Sequence, residues 1–257
     1  MNRKFLQGLA ATAALIAGSA AVPAMAAPVR NIVLVHGAWV NGNGWKPVYD
    51  ILVKDGYRVS VAEHPLTSFA DDVTAVKRIV DMQDGPAILV GHSYGGALIT
   101  DVGNDPKVAG LVYIAAHALD QGETEVANGK RYPSETSKTT DIKKTADGFL
   151  YLDPSKYPAD FAADLPPAQA RFEADAQELT AASVFSAPAG QPAWKTKPTW
   201  YAVATADRII NPDLERMYAR RAHAHTIEIQ GASHSVYESH PKEVAALIEQ
   251  AAERSMP

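Results

Sequence analysis

The sequence of 257 residues contains no cysteine. It can therefore form no disulfide and carry no lipid on a cysteine thiol, and its stability must come from burying apolar side chains. It is also short of positive charge: 24 Lys and Arg stand against 29 Asp and Glu, for a formal net charge of −5. A protein that neutralises a phosphate backbone or adheres to anionic lipid needs a basic surface, so nucleic acid is not an expected partner. Internal repeats and low-complexity tracts are missing as well, which sets aside solenoid and linker-rich architectures. What remains, 47% hydrophobic and 21% charged residues, is the composition of one ordinary globular domain.

The one long apolar run is at the start. Arg3 and Lys4 precede a mostly apolar stretch over 5–22, and Ala24-Met25-Ala26 follows as a small-x-small cleavage pattern. The run is rich in Ala and Gly and ends in a processing site, which favours a secretory signal over a membrane anchor. Residues 1–26 are expected to be that signal and 27–257 the exported domain, periplasmic or secreted, with no stable membrane anchor. About 230 residues suffice for a self-sustaining core.

Beyond the leader, short runs of Val, Ile and Leu alternate with segments of helical period, the pattern of a parallel sheet covered on both faces. Expected strands are 32–35, 57–62, 87–90, 108–115, 199–205 and 226–229. Ser68, with Asp71 three residues on, reads as the cap of a helix facing inward through Val73, Val76 and Val80. Asn211-Pro212 reads as a second helix start. A third helix is expected from Ser239, with Val244, Leu247, Ile248 and Ala251 on one face. The stretch 117–194 breaks the rhythm: it is polar and proline-rich over 132–167, then reads as helical over 167–183. It is expected to be a cap inserted over the C-terminal edge of the sheet, where ligands bind in open α/β folds.

The run Gly91-His92-Ser93-Tyr94-Gly95-Gly96 joins the strand 87–90 to a helix expected over 97–103. Glycines at 91 and 95 leave room for a sharp turn that presents a serine hydroxyl above the sheet. Such a hydroxyl is a poor nucleophile until a base takes its proton, and the base needs an acid to fix its tautomer. Asp207 follows the strand 199–205, whereas Asp213 falls in a first helical turn, where a carboxylate merely favours the helix dipole. Of the eight histidines, His234 lies in the loop directly after the last strand. His36 and His92 read as backbone-orienting, His64, His223 and His225 as surface residues, and His240 as part of the final helix start. His117 follows a strand end and is a candidate for lining the pocket. Developing negative charge on a substrate carbonyl calls for backbone N–H donors, expected from Tyr94 and from Ala38 in the loop after the first strand.

The runs Val33-Leu34-Val35-His36-Gly37-Ala38-Trp39, 91–96, 204–212 and 231–234, together with Trp45, resemble the esterase/hydroxynitrile-lyase branch of the α/β hydrolases. The resemblance spans the whole chain after the leader and implies an α/β-hydrolase fold, a mostly parallel sheet flanked by helices with an inserted cap. It implies a Ser93–His234–Asp207 triad and an oxyanion hole at Ala38 and Tyr94, with no cofactor and no metal. Plant lyases of the branch carry Thr at the position of Gly37 and Lys at that of Ser235, so hydrolysis is expected in place of cyanohydrin cleavage. The expected function is hydrolysis of small to medium carboxylic esters, small molecules that would meet Trp39 and His117, with Trp45 and Tyr94 as further pocket candidates. A lactonase, amidase or carbon–carbon hydrolase using the same triad, and an exported binding protein with the chemistry idle, are the alternatives.

Overall fold

The run Asn31–Val35 forms β1 and is buried throughout, because a strand covered on both faces needs no polar alternation. A computed structural model describes residues 28–255, and the expected signal over 1–26 lies outside them. After β1 come α1 (Lys46–Lys54), β2 (Arg58–Ala62), α2 (Phe69–Asp81), β3 (Ala87–His92), α3 (Tyr94–Val102) and β4 (Val108–Ile114). A long insertion follows, holding α4 (Glu125–Arg131), β5 (Ile142–Lys144), β6 (Phe149–Leu152), α5 (Tyr157–Asp160), α6 (Pro167–Asp175) and β7 (Thr180–Ala181). The chain then returns through β8 (Thr199–Ala204), α7 (Pro212–Arg221), β9 (His225–Ile229), α8 (Val236–Ser239) and α9 (Pro241–Arg254).

The main sheet has six strands in the order β2-β1-β3-β4-β8-β9, and every pairing in it is parallel. Alternation along the strands splits the core in two. Val33, Val35, Leu89, Tyr113 and Tyr201 face α2, α3 and α7. Ile32, Leu34, Ile88, Val112 and Trp200 face α1 and α9. Strand order turns at β1 and β3, since the chain goes first to β2 on one side and then to all later strands on the other. At such a switch point the loops leaving the C-terminal strand ends part and open a crevice.

Local signals explain the helix starts. The Ser68 hydroxyl accepts from the Asp71 N–H at 3.1 Å, and Asn211 accepts from the Asp213 N–H at 2.9 Å with Pro212 in the first turn. Each such cap contributes about 1 kcal/mol. Three expected boundaries move. α3 begins at Tyr94, directly after Ser93, and not at residue 97; Gly95 is therefore helical, and its lack of a side chain serves close approach, since a Cβ there would sit 2.7 Å from the Val35 carbonyl oxygen. The helix read over 167–183 stops at Asp175, where the Gln177 side chain donates to the Ala174 carbonyl (2.9 Å) and to that of Leu152 (2.8 Å), tying the chain to β6. The last helix starts at Pro241 after His240, while Ser239 belongs to α8. The insertion also holds an antiparallel three-stranded sheet, β5-β6-β7, that the polar reading of 132–167 does not anticipate.

Candidate active site

β3 ends and α3 begins within one residue, and Ser93 between them takes φ 54°, ψ −124°. A non-glycine residue in that region stores strain, which is held here by buried hydrogen bonds on both sides. The Ser93 N–H donates to the Ile114 carbonyl at 3.3 Å, and the Ser93 carbonyl accepts from Gly96 at 2.9 Å and His117 at 3.1 Å. The strained turn lifts Oγ to 2.9 Å from Nε2 of His234.

His234 stands in the loop after β9, with its Nδ1 2.5 Å from Oδ2 of Asp207. Oδ1 of Asp207 accepts from the N–H groups of Ile209 (2.7 Å) and Ile210 (2.9 Å), so the carboxylate is fixed at both oxygens. Asp213, the rival acid, is exposed in the first turn of α7 and pairs with Arg216 at 2.9 Å. All three members of the line are buried: Ser93 at 6%, Asp207 at 4% and His234 at 0% exposure. The His234 ring sits 4.6 Å from both Phe161 of the insertion and His92. Burial, with the neighbouring His234, holds the His92 pKa well below the usual histidine value. Its neutral ring therefore donates from Nε2 to the His234 carbonyl at 2.9 Å and fixes the loop that carries His234.

Of the first-loop amides, that of Trp39 is engaged, donating to Thr180 Oγ1 at 3.2 Å. Ala38 faces the same cavity as Ser93. Tyr94 opens α3, where the first-turn N–H groups have no intrahelical acceptor and the helix dipole favours negative charge. Its side chain points away, and its hydroxyl donates to buried Asp72 at 2.8 Å. Trp45 is likewise core, its ring 4.6 Å from Tyr237, so neither Tyr94 nor Trp45 presents its side chain to the cavity beside Ser93. His64, read as a surface residue, is buried and stacks on His36 at 3.8 Å. Its Nε2 lies 3.1 Å from the His36 carbonyl oxygen, so it braces the first loop.

A sequence model described as the alpha/beta hydrolase family matches residues 32–247. The chain belongs to this family. Among curated proteins, a carbendazim hydrolyzing esterase of Nocardioides sp. is 35% identical over 126 residues, 42% of this chain and 51% of that protein. A pyrethroid hydrolase of Sphingobium wenxiniae is 33% identical over 111 residues, 37% of this chain and 39% of that protein. The chain thus matches about half or less of these relatives' lengths. The crystal structure of a pyrethroid hydrolase superposes with a TM-score of 0.76 at 23% identity, covering 88% of this chain and 98% of that one, a likeness of fold.

In this family member the Ser93 hydroxyl borders a cavity of about 640 Å³, walled by Trp39, Ile142, Leu150, Phe185 and Ile209, with His117 and Glu125 as buried polar members. Burial pulls the His117 pKa down to about 3 and pushes that of Glu125 well above the carboxylate range. Their 3.3 Å contact therefore joins two neutral groups and is no ion pair. Trp39 is pinned by its indole N–H, which donates to the Leu150 carbonyl at 3.2 Å.

One group escaped the sequence reading because its position announces only a helix start. Glu215, in the first turn of α7, is fully buried and accepts the Ala204 N–H at 3.0 Å. Burial, and then Asp207 close by, raise its pKa far above the usual range, so it is a protonated neighbour of Asp207. Glu215→Gln keeps an acceptor for Ala204 and a donor in place of the acid proton, and is expected to leave kcat within a few-fold of wild type. Glu215→Ala leaves a void and an unpaired N–H and should cost about 2–4 kcal/mol, measured by denaturant unfolding.

Proposed function

We propose that this protein is a serine hydrolase of small to medium carboxylic esters. One observation carries the reading: Ser93, His234 and Asp207 form an unbroken buried hydrogen-bonded line ending at an apolar cavity. Ser93 Oγ attacks the ester carbonyl while His234 Nε2 takes its proton, and Asp207 stabilises the imidazolium through Nδ1. The tetrahedral oxyanion lies toward the N–H groups of Ala38 and Tyr94, where each donor is worth about 3 kcal/mol. His234 then protonates the departing alcohol, and water attacks the acyl-enzyme by the reverse route. Trp39 and His117 contact the bound ester.

The names of the two curated relatives, an esterase and a pyrethroid hydrolase, support ester chemistry. Gly37 weighs against cyanohydrin cleavage in the manner of the plant lyases, which this chain resembles less at this position because they bear Thr there. A Cβ at Gly37 would lie 2.7 Å from Ser93 Cβ, so this loop has no space for that side chain. The basic, apolar and Ala-Met-Ala sequence of 1–26 supports export to the periplasm or beyond. To test the chemistry, the protein is mixed with p-nitrophenyl acetate, quenched in acid and digested. One acetyl group is expected on the peptide holding Ser93, and an unmodified peptide under turnover conditions would sink the proposal.

A further inference from the structure

Trp39 also walls a second cavity, about 320 Å³, bordered by Tyr157, Phe172, Glu173, Tyr237 and Glu238. It lies between α6 of the insertion and α8, which begins just after His234. Two carboxyl groups meet there, bridged by the Gln169 side-chain amide, which donates to Glu173 Oε1 at 2.9 Å and Glu238 Oε2 at 3.0 Å. The other Glu173 oxygen is buried and, among the described residues, has no partner besides the Glu238 carboxyl. The groups acting on Glu238 are Glu173, Tyr237 and Gln169, with no cation among them. An independent observation points to an occupant: Tyr157 is fully buried and borders the cavity, and its hydroxyl has no hydrogen-bond partner among the described residues, while the equally buried Tyr237 hydroxyl faces Glu238.

We propose that this cavity binds a small organic cation, a primary ammonium on a short apolar body, with Glu173 and Glu238 as counter-charge and the Tyr157 and Tyr237 hydroxyls as acceptors. Four aromatic side chains, Trp39, Tyr157, Phe172 and Tyr237, border the cavity, a lining suited to the apolar body of such a cation. A divalent metal fits poorly, because it demands about six oxygen ligands and gains nothing from aromatic walls; among the described residues no cluster of three or more His, Cys, Asp or Glu suits a metal. In the empty site a proton stands in for the cation. Burial, then Glu173, pushes the Glu238 pKa up to about 9, so a bound ammonium displaces that proton.

The sign follows from linkage. Below about pH 9 Glu238 is protonated when the site is empty and ionised when it is filled, so binding releases a proton and weakens as pH falls, by up to about tenfold per pH unit. The test is calorimetric titration of the full protein with benzylammonium chloride, with benzyl alcohol as neutral control, between pH 6 and 8. Two buffers of different ionisation enthalpy read the proton count. Binding of the ammonium alone, with close to one proton released per site at pH 7, is expected. Glu238→Gln should abolish the proton release, and Glu173→Gln should weaken binding at least tenfold. Equal binding of the alcohol, binding without proton release, no binding, or affinity unchanged in both variants overturns the proposal. Proton release is read on the wild type, so the outcome does not hang on how the variants fold. Neither result bears on the Ser93 chemistry, which has its own acyl-trapping test.

Discussion

Ser93→Ala should lower kcat for a short p-nitrophenyl ester by about 10⁶-fold, the scale seen when a triad serine is removed. The expectation rests on what Oγ does here: it is the atom 2.9 Å from His234 Nε2 and it borders the cavity. Removing it leaves binding almost untouched, because one oxygen is a small part of a 640 Å³ wall, so KM should change little while kcat collapses. Stability should hold as well, since alanine meets the same φ of 54° as serine, and the backbone bond to the Ile114 carbonyl and those from the Gly96 and His117 N–H groups remain. A residual rate of about 10³ over water is expected from the Ala38 and Tyr94 donors acting alone. If the variant kept even a tenth of wild-type kcat, Ser93 would not be the nucleophile.

Why Ser93 was legible from sequence, and Glu215 was not, is a matter of range. The elbow is local: an apolar strand, small residues and a helix lie within about fifteen positions, so packing and turn chemistry are written side by side. Asp207 and His234 were legible for a related reason, since a residue just past a parallel strand has only the C-terminal edge of the sheet to go to. The unbroken apolar runs likewise announced a sheet covered on both faces, because neighbours such as Ile32 and Val33 point in opposite directions and both must be buried. His64, Glu215 and the β5-β6-β7 sheet depend on long-range contacts. His64 looks solvated until His36 stacks on it. Glu215 looks like a helix-start acid until α7 turns it toward Ala204. Gln177 ends its helix only because β6 lies within reach.

The insertion does more than roof the cavity. Phe161 packs on the His234 ring, its carbonyl accepts the Ser235 N–H at 3.0 Å, and Asp164 accepts from the Ser233 N–H at 2.9 Å. The residues on both sides of His234 are thus held by the insertion, while His92 holds the carbonyl of His234 from the core side. The ring orientation of His234 is therefore set by two parts of the chain that lie far apart in sequence.

Asp207→Asn should cut kcat by about 10⁴-fold without unfolding the protein, and the reason lies in the fixed oxygen. Oδ1 accepts two N–H groups, from Ile209 and Ile210, so the replacing amide must keep its carbonyl oxygen there. Its NH₂ then occupies the position of Oδ2 and faces Nδ1 of His234. Two donors cannot share a hydrogen bond, so the imidazole must present a lone pair at Nδ1 and carry its proton on Nε2, pointing at Ser93. The serine proton then has no acceptor. Substrate binding is expected to survive, with KM within a few-fold and a thermal midpoint close to wild type, because the amide conserves volume and both backbone bonds. Phosphonylation of Ser93 by a fluorophosphonate should slow in step with kcat, since both need the same base. If kcat fell less than tenfold while the variant stayed folded, Asp207 would not be setting the tautomer, and Glu215, the buried carboxyl beside it, would be the next residue to test.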